Sequence, residues 1–80
     1  MNKDFFIDIL KSINKEMNIT MTTDNQIDFR FENDYYSCYG TLYLDDQYTN
    51  FIIFDKVNKT TKPHYKKFLL LIEIINHYNF

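Results

Sequence analysis

Eighty residues are expected to form a single domain, 1–80, and a chain of this size buries only about 60 % of its unfolded surface, so a thin core is expected, with no room in these residues for a second domain. With 45 % hydrophobic and 19 % aromatic residues it is not a disordered tail, because large rings bury much area per residue. The net charge of −2 hides a partition: Asp24, Asp28, Glu32, Asp34, Asp45, Asp46 and Asp55 face only Arg30 in the middle of the chain. Beyond them Lys56, Lys59, Lys62, Lys66 and Lys67 face only Glu73.

In chain order, Phe6, Ile9, Leu10, Ile13 and Met17 recur at helical spacing and predict an amphipathic helix from Lys3 to about Asn18. Asn2 is its expected cap and Asp4 suits its positive end. The polar, Thr-rich stretch Asn18 to Asn25 reads as a loop. From Gln26 the period becomes two: Ile27, Phe29 and Phe31 alternate with Asp28, Arg30 and Glu32, the pattern of a half-buried strand.

Asn33-Asp34 is then expected as a two-residue turn, which would set Phe31 opposite Tyr36 and Phe29 opposite Cys38. The second strand presents Tyr36, Cys38, Gly40, Leu42 and Leu44 to the core. Its other side carries Tyr35, Ser37, Tyr39, Thr41 and Tyr43. Asp45-Asp46 marks the next turn. A loop of two or four residues there keeps Phe51 and Ile53 on the core side and adds Tyr48, Ile52 and Phe54 to the tyrosine face; a three-residue loop reverses them.

The polar segment Val57–Lys62 reads as a connection, with Pro63 in the first turn of a last helix running to about Asn79. Phe68, Leu69, Leu70, Leu71, Ile72, Ile74 and Ile75 make that helix apolar nearly all round. It is therefore expected either wedged between sheet and first helix or partly exposed as a homodimer surface, Phe68 to Ile75. The fold class read from these elements is α+β, a three-stranded antiparallel meander flanked by an N-terminal and a C-terminal helix.

Cofactor and metal sites are not expected, because Cys38, His64 and His77 lack ligand spacing. Cys38 on the core face of a middle strand would be inert as a nucleophile. Acid pairs such as Asp28 and Glu32 or Asp45 and Asp46 would need a deep cleft for glycosidase-type chemistry, and Gly40, the one glycine, cannot build a phosphate loop. The chain is read as no enzyme. A lone cysteine favours a reducing compartment. Asp4 and Asp8 are unlike a signal peptide, and the longest apolar run, Phe68–Ile72, is too short for a bilayer. The expected location is the cytoplasm, with no membrane contact.

The candidate site is the tyrosine face: Tyr35, Tyr39, Tyr43 and Tyr48, rimmed by Asp28, Glu32, Asp34, Asp45 and Asp46. Rings on a sheet face stack bases in some nucleic-acid modules, but acids around them repel phosphate, so direct nucleic-acid binding is disfavoured. Such a face suits a protein interface, and its acidic rim suits a basic partner. Whether a helix covers the face is open from the sequence.

The absence of Ala, the single Gly, Pro and Arg, and the abundance of Asn, Lys, Ile, Tyr and Phe indicate AT-rich coding, as in a low-GC bacterium or its phages and plasmids. Length, acidic middle, helix–meander–helix order and coding bias together make the chain resemble the small anti-CRISPR proteins of prophages, over its whole length and through no motif. The resemblance implies an inhibitor from a mobile element that covers a basic nucleic-acid-binding surface of a host defence effector, such as a Cas protein or another nuclease. Asp28, Glu32, Asp34, Asp45 and Asp46 would be its contacts and the tyrosines its anchors. The alternatives are a small regulatory nucleic-acid-binding protein, or an immunity or antitoxin protein that neutralises a nuclease toxin.

Overall fold

A computed structural model describes residues 3–77. Helix α1 (Lys3–Ile13) leads into strands β1 (Asn18–Thr22), β2 (Gln26–Glu32), β3 (Tyr36–Tyr43), β4 (Tyr48–Asp55) and β5 (Thr60–Lys67), and helix α2 (Phe68–His77) follows. The strands form one antiparallel sheet in the order β1-β2-β3-β4-β5. Five strands, not three, correct the meander expected from the sequence. The Asn18–Asn25 loop contains β1. The polar connection and Pro63 belong to β5, and α2 begins only at Phe68.

Both misread segments are sheet edges. An edge strand has one neighbour and little burial, so it need not alternate apolar and polar residues, and none of β1 or β5 is fully buried. Pro63 costs no ladder bond on an edge whose outer N–H groups face solvent. α1 also ends earlier than its periodicity suggests. The Asn14 side-chain oxygen accepts a hydrogen bond from the Glu16 N–H at 2.7 Å, and the Met17 N–H donates to the Asn14 carbonyl. Chain reversal follows there. Asn2 and the end of the last helix near Asn79 lie outside the described residues.

The β2–β3 register differs from the expected one by two residues: Phe31 lies opposite Cys38, Phe29 opposite Gly40 and Ile27 opposite Leu42. The cause is Asn33, whose Oδ1 accepts from the N–H groups of Tyr35 (2.8 Å) and Tyr36 (2.7 Å) and widens the turn. A slip of two preserves side-chain parity, so the same residues face the core. Between Tyr43 and Tyr48 the connection has four residues, which keeps Phe51 and Ile53 on the core side as expected. It closes with Gln47 at φ 57°, and the β4–β5 turn closes with Lys59 at φ 59°, both left-handed.

Both helices pack on one face of the sheet. Phe6 and Leu10 of α1 and Phe68, Leu71 and Ile75 of α2 join Ile27, Phe29, Phe31, Cys38, Leu42, Phe51 and Ile53 in a single core. The Phe6 and Phe68 rings meet edge to face at 5.4 Å, which ties the helices together. Gly40 sits between Phe29 and Phe51. A Cβ there would clash with the Phe51 Cβ and come within 2.6 Å of the Asn50 carbonyl oxygen, so any other residue must push the neighbouring strand aside. The Thr49 hydroxyl, fully buried, donates to the Lys66 carbonyl at 2.9 Å and pins β5 to the sheet.

Of the two placements open for the last helix, the sheet-packed one accounts for its buried stripe, while Leu69 (74 % exposed) and Leu70 (40 %) point outward. No helix among the described residues is long and apolar enough to cross a membrane.

Candidate functional site

With both helices on one side, no element among the described residues covers the opposite side of the sheet. The ladders arrange it in four rows. Glu32, Ser37, Phe54 and Thr61 form the first; Arg30, Tyr39, Ile52 and Pro63 the second; Asp28, Thr41, Asn50 and Tyr65 the third; Gln26, Tyr43, Tyr48 and Lys67 the fourth. At the centre the large side chains are open to solvent: Tyr39 is 65 % exposed, Tyr65 60 %, Ile52 40 % and Tyr43 38 %. Tyr48 is half-buried and stacks on Tyr65, centroids 4.9 Å apart.

The predicted site residues do not all belong to one ring. Asp28, Glu32, Tyr39, Tyr43 and Tyr48 share the open face. Asp34 and Tyr35 sit in the β2–β3 turn at one end of the strands, and Asp45 and Asp46 in the β3–β4 turn at the other. Pro63 and Tyr65, and Met21 on β1, were missed because their strands were. The one available signal was the Thr60-Thr61 pair before alternating Lys62, His64 and Lys66, a weak strand pattern with no apolar side.

Electrostatics differ between the two ends. Glu32 accepts from the Lys56 ammonium at 2.7 Å, and Lys56 also donates to the Asn33 carbonyl at 2.8 Å. That hydrogen bond and the adjacent positive charge hold the Glu32 carboxyl below its usual range. Asp28 accepts from the Thr41 hydroxyl at 2.7 Å and from the Gln26 amide at 3.3 Å. These acids are engaged within the chain. Arg30 lies beside Tyr39 with no ion pair or hydrogen bond of its own among the described residues. It lines a recess of about 480 Å³ with Asn18, Ser37 and Glu16.

At the other end the Leu44 N–H donates to the Asn25 carbonyl (2.9 Å), which brings the β1–β2 turn against the β3–β4 turn. Asn25, Tyr43, Asp45, Asp46, Asn50 and Tyr65 there line a second, open recess of about 340 Å³. Asp45 and Asp46 are exposed and form no ion pair within the described residues. The open face is thus neutral over its strands and acidic at this corner.

Other reactive groups lie on the covered side. Burial pushes the Cys38 thiol up to about 12, so thiolate is not available there. His64 stacks on Phe51 at 4.9 Å, and its Nε2 is buried without a hydrogen-bond partner. Burial, then the charges of Lys62 and Lys66, lower its affinity for a proton. Among the described residues no three of His, Cys, Asp and Glu are placed to hold a metal ion. No protein-family model, curated protein or solved structure matches the chain.

Proposed function

We propose that the chain is a non-catalytic protein-binding module whose contact surface is the open sheet face, and that it acts as a small inhibitor from a phage or other mobile element by occupying a basic surface of a host defence effector. The observation that carries this reading is the exposure of Tyr39, Ile52 and Tyr65 on a face with no helix over it, bounded by the uncompensated Asp45 and Asp46. Tyrosines give large contact area at small entropic cost, and ring-rich centres carry most interface energy. Arg30 beside Tyr39 belongs to the same class of contact residue.

The acids supporting the reading are fewer than the sequence suggests, since Asp28 and Glu32 are engaged internally. The corner at Asp45 and Asp46 remains as the attraction for a basic partner, and rim charges act chiefly on association rate. The test is site-specific photocrosslinking from position 39 in a low-GC bacterial host, with position 69 on the helix side as control, followed by reconstitution with the captured protein. A single crosslinked partner is expected. Ile52→Asp should abolish its one-to-one inhibition, and Asp45→Lys with Asp46→Lys should slow association and weaken its dependence on salt. Equal crosslinking from both positions, or tight binding of labelled RNA or DNA by the open face, would replace this reading.

A further inference from the structure

The recess at the acidic corner has a chemistry more specific than a general attraction for basic surfaces. We propose that it is a receptor for one arginine side chain of the protein partner. This rests on the reading of the open face as a contact surface and assigns that surface its anchoring pocket.

Two kinds of group that favour a guanidinium meet there. The rings of Tyr43 and Tyr65 are contributed by strands on either side of β4, with Asn50 between them. Both phenols are substantially exposed, although Tyr48 stacks on one face of Tyr65, and an aromatic face attracts a cation within about 6 Å of its centre. Asp45 and Asp46 line the same recess, as do Asn25 and Asn50, whose side-chain amides can supply oxygen acceptors. A planar guanidinium with its fork of donors can stack on a ring and donate to carboxylate and amide oxygens together. An ammonium is a compact point charge and uses such a site less fully.

Among the described residues no cation forms an ion pair with Asp45 or Asp46. Lys67 shares the adjoining recess with Asp46, yet no ion pair joins them. The site's position is fixed by backbone: Leu44 bonds to Asn25 on one side, and the Phe68 N–H donates to the Gln47 carbonyl at 2.7 Å on the other. The volume, about 340 Å³, is at the small end of ligand clefts, roughly 300–1,000 Å³. A single long side chain entering from a partner suits it.

The probe is N-acetyl-arginine-N-methylamide, titrated into the 80-residue chain and followed residue by residue by NMR, beside the norleucine and lysine analogues and calcium chloride. Saturable shifts are expected at Asn25, Tyr43, Asn50 and Tyr65 with the arginine probe, with weaker shifts for lysine and none for norleucine. Asp45→Asn with Asp46→Asn should weaken binding about tenfold, a loss of about 1.4 kcal/mol; its turn residues are exposed, and the dispersion of the same spectra verifies folding. Tyr65→Ala should also weaken it. No saturable shifts, shifts unchanged in the double variant, equal binding of lysine or norleucine, or tighter occupation by calcium would each overturn the assignment. The titration needs no partner, so its failure leaves the crosslinking result standing, whereas arginine binding without any crosslinked partner would refute the wider reading alone.

Discussion

The two faces of the sheet carry almost the same number of rings and put them to opposite uses. On the covered face Phe29 and Phe51 are fully buried on either side of Gly40, beneath two helices; on the open face Tyr39 and Tyr65 stand in water. The difference lies in the hydroxyl and in the neighbours. A phenol keeps its polar tip hydrated while its ring lies on the sheet, and Thr41, Asn50 and Arg30 around it need no cover. Phenylalanine has no such tip, so its strands recruit Phe6, Leu10, Leu71 and Ile75. An open aromatic face is therefore compatible with a folded monomer.

The sharpest way to break this comparison is to remove one ring from each side. Phe51→Ala should cost about 3–5 kcal/mol, comparable with the whole stability of a domain this size, roughly 4–12 kcal/mol. Tyr39→Ala should stay within about 0.5 kcal/mol. Urea denaturation of the pair measures the difference. If Tyr39→Ala costs as much as Phe51→Ala, the open face is a second core.

Next comes Gly40→Ala. Its Cβ would point to the covered face against Phe51, and overpacking of this kind costs about 1–3 kcal/mol; thermal unfolding should show the fall. A gain instead follows from the turns: Lys59→Gly removes a left-handed φ from a side chain and should stabilise by about 1 kcal/mol, read as a rise in the urea midpoint.

The smallest effect is the response of the covered face to acid. His64 has a lowered pKa, so the unfolded chain takes up its proton first; stability is complete above about 6.5 and declines as pH falls toward the folded value. Lys62 and Lys66 flank the ring on β5, and Glu73 and His77 approach from α2 around the same small recess. His64→Phe should flatten the urea midpoint between neutrality and pH 5. The lowered carboxyls of Glu32 and Asp55 act in a lower window and in the same direction, their contribution present above the ordinary carboxylate range and lost as pH falls through it.

What could be read from the sequence follows burial. Strands β2, β3 and β4 alternate because each has two neighbours and one covered side, so parity was legible even though the register at Asn33 was not. The slip arose from a side chain, the Asn33 oxygen bonding two backbone N–H groups, which no hydrophobic pattern records. β1 and β5 gave no period because edge strands bury little, and Pro63 carries the same letter in a helix's first turn as on a sheet edge. The tyrosine face was legible as residues; its exposure was not, since that depends on both helices choosing the other side. The charge reading changed most. Counting acids could not reveal that Lys56 from the β4–β5 turn reaches Glu32, or that Thr41 occupies Asp28.

The strand order has a last consequence, in time rather than space. Because β1 to β5 lie side by side in the order in which they are made, each pairing closes only a turn of three or four residues, and the long-range step is limited to docking the helices. Local pairings spare the chain most of the loop-closure entropy that slows β proteins. Refolding in milliseconds, at the fast end for a sheet of this size, is the expected kinetic signature, and it would let the open face assemble before the helices have settled behind it.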